Sequence, residues 1–330
     1  MHPLLRAAAE RRLGLFTAVD ARRAGYGHPE IRSMCATGRW VRLRRGIYVD
    51  ASDLARADAE GRRHQLDCLA VLTALDRPTT ALSHESAARL WGLPVPRPTT
   101  IPLTDPDHTR TGRGYRVTQA PLAVDEVAVR GPFRLTTPAR TLLDLARTRP
   151  LDGAVVAMDA ALLAGRVTPE QLAEAVSRAA RWPGAARAAR AVPLADGRAE
   201  SPLETRGRLR MLGAGLPAPE LQVEIRSARR LVGVVDAWFD DAAVAVEFDG
   251  RVKYTDPWRG RDPAQVLWEE KRREDELRAL GIDVVRITDD DLGPHWPEVE
   301  VRLRRLTARP GPATRRFSAT ARARGRSRTA

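Results

Sequence analysis

Two β-prone runs, Val232 to Phe239 and Ala243 to Asp249, flank Asp240-Asp241, and a polar break that short between two such runs predicts a hairpin. In the second run Val244, Val246 and Phe248 point one way and Ala245, Glu247 and Asp249 the other, so one face is core and the other acidic. With a tight turn at Asp240-Asp241, Asp236 falls opposite Ala245 and diagonal to Glu247, at about 7–8 Å between backbones. Three carboxylates then converge, and they repel one another unless a cation sits among them. Hard oxygen ligands suit Mg²⁺ or Mn²⁺, an ion that polarises a phosphodiester and acidifies an attacking water. The plainer alternative is a hairpin whose outward face is merely acidic. Gly250 follows at once, allowing a sharp exit and close approach of a ligand, and weighs against that alternative.

Lysine usage points to the same region. Of 55 basic residues only Lys253 and Lys271 are lysine, and both follow closely on the acidic strand. An ammonium is a compact charge with a movable pKa that a guanidinium cannot replace, as a catalytic lysine beside a scissile phosphate requires; chance placement is the other explanation. Glu204 closes the pattern Ser201-Pro202-Leu203-Glu204, a helix start with Ser as N-cap, Pro first and Glu third. A capping box explains it fully. A place facing the acid cluster as a metal or water ligand explains it equally well.

The net charge of +13 sits at the two ends. Residues 1–50 hold ten arginines and four acids, and residues 307–330 hold seven arginines and no acid, which leaves 38 basic and 38 acidic residues between them. Two basic ends on a neutral body mark two places where a polyanion docks. The tail from Thr307, arginine among small residues and prolines, is expected to be disordered. No run of eighteen apolar residues occurs and the first twenty residues are studded with arginine, so neither a membrane span nor a secretory signal is expected and a cytoplasmic location is. Cys35 and Cys68 stand far apart without metal-ligand spacing, which argues against zinc or disulfide scaffolding.

Along residues 1–50 the chain predicts three short helices and a hairpin. Thr17 to Ala24 ends at Gly25 and Gly27, Pro29 opens a helix through Ile31 and Met34 to Gly38, and Trp40, Leu43, Ile47 and Val49 mark a ribbon turning near Arg45-Gly46. That is a winged helix-turn-helix: Arg32 and Ser33 on the second helix enter the major groove, while Arg39, Arg42, Arg44 and Arg45 lie along phosphates. Residues 64–92 read as helical, with Ser83 an N-cap rather than a nucleophile activated by His84. Short β-prone runs follow from Thr99 to Arg134, then helices from Pro138 to Leu145 and across 151–164 and 168–190.

The phrases "GRWVRLRRGIYV", "SHESAARLWGL" and "LTTPARTLLDLA" in the first 150 residues resemble the AbiEi-type antitoxins of type IV toxin-antitoxin systems. The resemblance implies an N-terminal winged helix that binds operator DNA and a following antitoxin domain. It does not imply a toxin for this chain, and a cognate toxin stands as a separate candidate partner. Residues 198–292, with "ESPLETRGRLRMLGAGLPAPELQVEI", "GVVDAWF", "VAVEFDGRVKY" and "EEKRREDELRALGIDVVRIT", resemble the restriction-endonuclease-like superfamily with the PD-(D/E)xK signature, and within it the very-short-patch-repair-like domain of unknown function. By that likeness Asp236 is the first motif acid, Glu247 the second and Glu204 the helix acid. The usual lysine two residues after the second acid is Asp249 here, so Lys253 or Lys271 takes its role, or Arg272 and Arg273, on the helix with Lys271, contact phosphate instead.

The chain is therefore expected to be α+β: a winged helix-turn-helix over 1–60, a mixed α/β middle region over 61–195, a restriction-endonuclease-like αβββαβ core over 196–306 and a disordered basic tail over 307–330. Its expected function is DNA binding coupled to Mg²⁺-dependent phosphodiester hydrolysis, with Asp236, Glu247 and Asp249 on the metal, Lys253 or Lys271 at the phosphate, and duplex DNA as partner. The competing reading is a non-catalytic autoregulator or antitoxin whose nuclease-like domain is a scaffold.

Overall fold

The computed structural model describes residues 1–250 and 263–322, the first five of the second stretch by backbone alone. The described residues form two compact units, Met1–Arg149 with Glu170–Ala188, and Pro150–Pro169 with the chain from Ala189 onward. Helices and strands occur in both, and the fold is mixed α and β, with three separate sheets among the described residues.

The first unit begins with α1 (Pro3–Glu10), β1 (Leu15–Thr17), α2 (Ala18–Arg23), α3 (His28–Ala36), β2 (Trp40–Arg44), β3 (Ile47–Asp50) and α4 (Ala51–Ala59). Thr17 starts α2 by accepting from Asp20 N at 3.0 Å while Asp20 Oδ2 accepts from Thr17 N at 2.8 Å, a reciprocal cap that fixes where the helix begins. Gly25, at φ 91°, ends the turn after α2, a conformation that a side chain disfavours. The antiparallel sheet runs β1-β3-β2, and Trp40 is the centre of a core formed with Phe16 at 4.7 Å and Tyr26 at 5.0 Å between rings. This is a winged helix.

The unit continues through α5 (Arg63–Leu75), β4 (Ala81–Leu82), α6 (His84–Leu90), β5 (Ile101–Asp105), β6 (Arg110–Gly112), β7 (Tyr115–Gln119), β8 (Val127–Arg130), β9 (Phe133–Thr136) and α7 (Pro138–Thr148). Its six strands lie in the order β6-β7-β5-β4-β9-β8. Leu15, Ile47 and Val49 of the winged helix share one apolar cluster with Leu66, Leu69, Leu82, Leu103 and Leu135. The boundary expected at residue 60 is thus crossed by a continuous core.

After α7 come α8 (Leu151–Leu163), α9 (Pro169–Arg178), α10 (Ala185–Ala191) and α11 (Pro202–Gly213). The expected boundary at 195/196 needs correction too, because α8 belongs with the second unit. Asp159 of α8 is buried, and it accepts from Thr205 Oγ1 at 2.8 Å, Arg208 at 2.9 Å and Asp196 N at 2.7 Å. Burial pushes its carboxyl pKa up, against the pull of Arg208 and the hydrogen bonds.

The second unit is completed by β10 (Glu220–Ser227), β11 (Arg230–Phe239), β12 (Val244–Asp249), α12 (Pro263–Ala279), β13 (Asp283–Thr288), α13 (Trp296–Thr307) and β14 (Ser318–Ala321). The sheet order is β13-β12-β11-β10-β14, parallel only between β12 and β13. Val244, Val246 and Phe248 pack with Leu203 and Met211 of α11 and Leu303 of α13, while Ala245 and Val235 pack with Leu277 of α12. The sheet is therefore covered on both faces, and α11-β10-β11-β12-α12-β13 gives the element order αβββαβ. A Cβ on Gly207 of α11 would run into the Phe248 ring, so helix and sheet meet closely there.

Two expectations are corrected within this unit. The β11–β12 loop spans residues 240–243, with Ala243 at φ 52°, and Phe239 pairs with Val244. That register pairs Trp238 with Ala245, the place expected for Asp236, and the pairing ends at Ala237–Val246. The second correction concerns the tail, since Ser318–Ala321 pairs antiparallel with Val223–Arg226 where disorder was expected. Small alternating residues suit an edge strand, and pairing across nearly a hundred residues leaves no local signal.

Candidate nucleic-acid interface and acidic centre

On α3, Ile31 is buried while Arg32 and Ser33 are exposed, so the helix turns its polar side outward. The wing formed by β2 and β3 exposes Arg39, Arg42 and Arg45. Arg44 differs. Its guanidinium lies 5.5 Å from the Tyr115 ring centroid and donates to the Arg113 carbonyl, so it ties the wing to β7 rather than projecting toward a phosphate. Sequence reasoning passed over Arg22 and Arg23, exposed in the last turn of α2. In a helix-turn-helix the first helix crosses the sugar-phosphate backbone, and two arginines just before a Gly-punctuated turn were the available signal.

In the second unit the acids are buried. Asp236 is 3% exposed, Glu204 4% and Glu247 7%. Gln222, opposite Asp236 and at φ 54°, donates from Nε2 to Glu204 Oε2 at 3.1 Å and Asp236 Oδ1 at 3.3 Å. Asp236 Oδ2 accepts from Phe248 N at 2.8 Å, so this carboxylate closes the strand end where β12 parts from β11. Glu204 N donates to Ser201 Oγ at 3.2 Å, and its carboxylate accepts from Glu200 N at 2.8 Å; one residue both belongs to the helix cap and faces the centre.

Glu247 leaves this pair for arginine. Its Oε1 accepts from Arg273 at 2.8 Å, and Arg286 approaches Glu247 at 3.9 Å, Asp249 at 3.5 Å and Glu274 at 2.8 Å. Burial alone would lower the Arg286 pKa, but the carboxylates of Glu274, Asp249 and Glu247 outweigh it and raise it. Among the described residues no three His, Cys, Asp or Glu side chains form a group able to hold a metal ion. As arranged, Glu247 and Asp249 face the guanidinium groups of Arg273 and Arg286, while Asp236 meets Gln222 and the Phe248 N–H.

Lys271 is exposed on α12, and Lys253 lies outside the described residues. Arg272 stacks 5.2 Å from the centroid of the exposed Trp268 ring and faces Glu276 at 3.8 Å. Ser83 stands at the N-cap of α6 without a side-chain cap; its Oγ meets His84 Nδ1 at 2.9 Å and is fully buried. Arg273, expected at a phosphate, pairs with Glu247 instead. Gln222, Glu200 and Arg286 were missed by sequence reasoning, since neither a left-handed Gln nor the choice of arginine partners has a local signature. No helix among the described residues is long and apolar enough to cross a membrane.

Family models match the winged helix and the region that follows it. Residues 3–49 match a transcriptional regulator, AbiEi antitoxin, and residues 80–194 match an AbiEi antitoxin C-terminal domain. Over 222 residues the chain is 32% identical to the uncharacterized proteins MT2308 and Rv2248 of two Mycobacterium tuberculosis strains, CDC 1551 / Oshkosh and ATCC 25618 / H37Rv, covering 67% of this chain and 78% of each relative. The chain belongs to the family of these mycobacterial proteins, and it carries AbiEi antitoxin-type domains.

Proposed function

We propose that this protein is a DNA-binding transcriptional regulator of the AbiEi antitoxin type, and that its αβββαβ domain is a nuclease-like scaffold rather than a catalyst. The observation that carries this reading is the winged helix over the segment matched by the antitoxin regulator, with Arg32, Ser33, Arg39, Arg42 and Arg45 exposed on helix and wing. Side chains at the start of α3 reach base edges, and wing arginines neutralise phosphates without reading sequence. Footprinting of the full chain on DNA upstream of its own coding sequence tests the reading. Protection is expected, and Arg32→Ala should relax it toward non-specific binding; absence of any protected site would contradict it.

A second reading keeps the αβββαβ domain as a Mg²⁺-dependent endonuclease. It is favoured by one observation: Gln222 Oε1, buried between Glu204 and Asp236, has no hydrogen-bond partner among the described residues and suits a cation. That reading requires Glu247 to exchange its arginine partners for an ion. Mn²⁺-dependent nicking of duplex DNA, abolished by Glu247→Ala, would favour it over the scaffold. A cognate toxin is a partner that the antitoxin domains suggest, and co-purification of the full chain with a neighbouring gene product tests it.

A further inference from the structure

A second basic ribbon lies against the wing. Residues 108–119, within the segment that matches the antitoxin C-terminal domain, carry Arg110, Arg113 and Arg116 and no acid. They form the β6–β7 hairpin, in which Gly112 pairs with Tyr115 across the turn Arg113-Gly114, with Gly114 at φ 73°. A Cβ on Gly112 would run into the Tyr115 ring, so glycine there lets the ring lie across the hairpin. The Arg44 guanidinium covers the same ring and donates to the Arg113 carbonyl, and a Cβ on Gly114 would stand 3.6 Å from it. Ile101 N donates to Gly114 O at 3.0 Å, and Val117 is fully buried in the apolar cluster that holds Ile47 and Val49 of the wing. The two turns are thus fixed to each other and to one core.

We propose that the β6–β7 hairpin is a second wing, which contacts the phosphates of duplex DNA beside those met by the β2–β3 wing, and that Arg44 is the brace that sets the two ribbons together. The proposal rests on the DNA-binding reading above and extends it into the antitoxin-type domain. Arg110, Arg113 and Arg116 are exposed, as Arg39, Arg42 and Arg45 are, and none of the six pairs with a carboxylate among the described residues. Guanidinium groups held in water contribute little to the fold. On two ribbons whose turns touch they repel one another, and a row of phosphates relieves that repulsion. Phosphate contacts fix a protein on the duplex without reading its sequence, so the hairpin adds affinity and register rather than specificity. The brace calls for arginine, because a planar guanidinium both stacks on the Tyr115 ring and donates to the Arg113 carbonyl.

The test is the salt dependence of binding by the full chain to two duplexes, the DNA upstream of its own coding sequence and an unrelated sequence. The hairpin variant Arg110→Ala/Arg113→Ala/Arg116→Ala should melt as the parent does and flatten the slope of log K against log salt by roughly 2–3 on both duplexes, leaving their affinity ratio unchanged. Arg44→Ala should weaken binding several-fold in the parent and far less in the hairpin-variant background, because a brace with nothing left to position has no effect. A parent slope in the hairpin variant overturns the proposal, and when the wing variant Arg39→Ala/Arg42→Ala/Arg45→Ala flattens the slope in the same experiment, the winged-helix reading survives it. An Arg44→Ala cost that is equal in both backgrounds overturns the brace, since Arg44 then acts without the hairpin. A parent that binds neither duplex overturns the hairpin and the DNA-binding reading together.

Discussion

The winged helix and the αβββαβ domain are both rich in arginine, and they use it in opposite ways. On α3 and the wing, Arg32, Arg39, Arg42 and Arg45 reach outward, and only Arg44 is drawn back to the body. In the second unit Arg208, Arg273, Arg286 and Arg322 turn inward onto Asp159, Glu247, Asp249, Glu274 and Glu200. A guanidinium left in water costs the fold little and remains available to a phosphate; one enclosed with a carboxylate is part of the fold. Exposure and pairing, rather than the count of arginines, separate a polyanion-binding surface from a structural hub.

The sharpest break of this contrast is Arg208→Ala, which leaves Asp159 buried without its cation and should cost about 3–5 kcal/mol of stability by denaturant unfolding. A loss as small as that of a surface arginine would erase the distinction. The first unit has its own buried ionisable group in His64, whose pKa burial, with Arg89 and Arg97 nearby, lowers from 6.5 to about 4. The folded state keeps the neutral imidazole while the unfolded chain protonates it, so stability is full above pH 6.5 and is lost as pH falls toward 4. The loss amounts to about 3 kcal/mol and should vanish in His64→Gln, measured as Tm against pH.

Smaller effects sharpen the description of the second unit. Gly207→Ala pushes a methyl group into the Phe248 ring and should cost about 1–3 kcal/mol, read in the same unfolding experiment. Glu247→Ala strips a carboxylate from Arg273 and Arg286 and should lower stability by about 1–3 kcal/mol. The direction is informative, because a site in which carboxylates repel one another would gain stability on losing one.

How much of this was legible in the sequence depended on range. Gly25, Gly27 and Pro29 punctuate the helix-turn-helix locally, and the alternation of Val244 to Asp249 sets its two faces locally as well. The length of the loop after Phe239 was not legible, since Ala243 adopts φ 52° without being Gly or Asn, and the shift puts Trp238 rather than Asp236 opposite Ala245. Pairing of β14 with β10, the strand order of the middle sheet, and the choice of Arg273 and Arg286 by Glu247 are long-range outcomes. In a chain with arginine at so many positions, a carboxylate's partner is decided by the fold.

The most direct test of the central claim is the salt dependence of duplex DNA binding by the full chain, compared between the parent, an Arg39→Ala/Arg42→Ala/Arg45→Ala variant and Arg286→Ala. The wing variant should melt as the parent does, within about 0.5 kcal/mol of stability, because its arginines are exposed. Its slope of log K against log salt should be shallower by roughly 2–3, because each phosphate that an arginine no longer neutralises keeps its counterion. Arg286→Ala should lose stability and keep the parent slope. An unchanged slope in the wing variant, or a slope reduced instead by Arg286→Ala, would contradict the assignment of DNA binding to the winged helix.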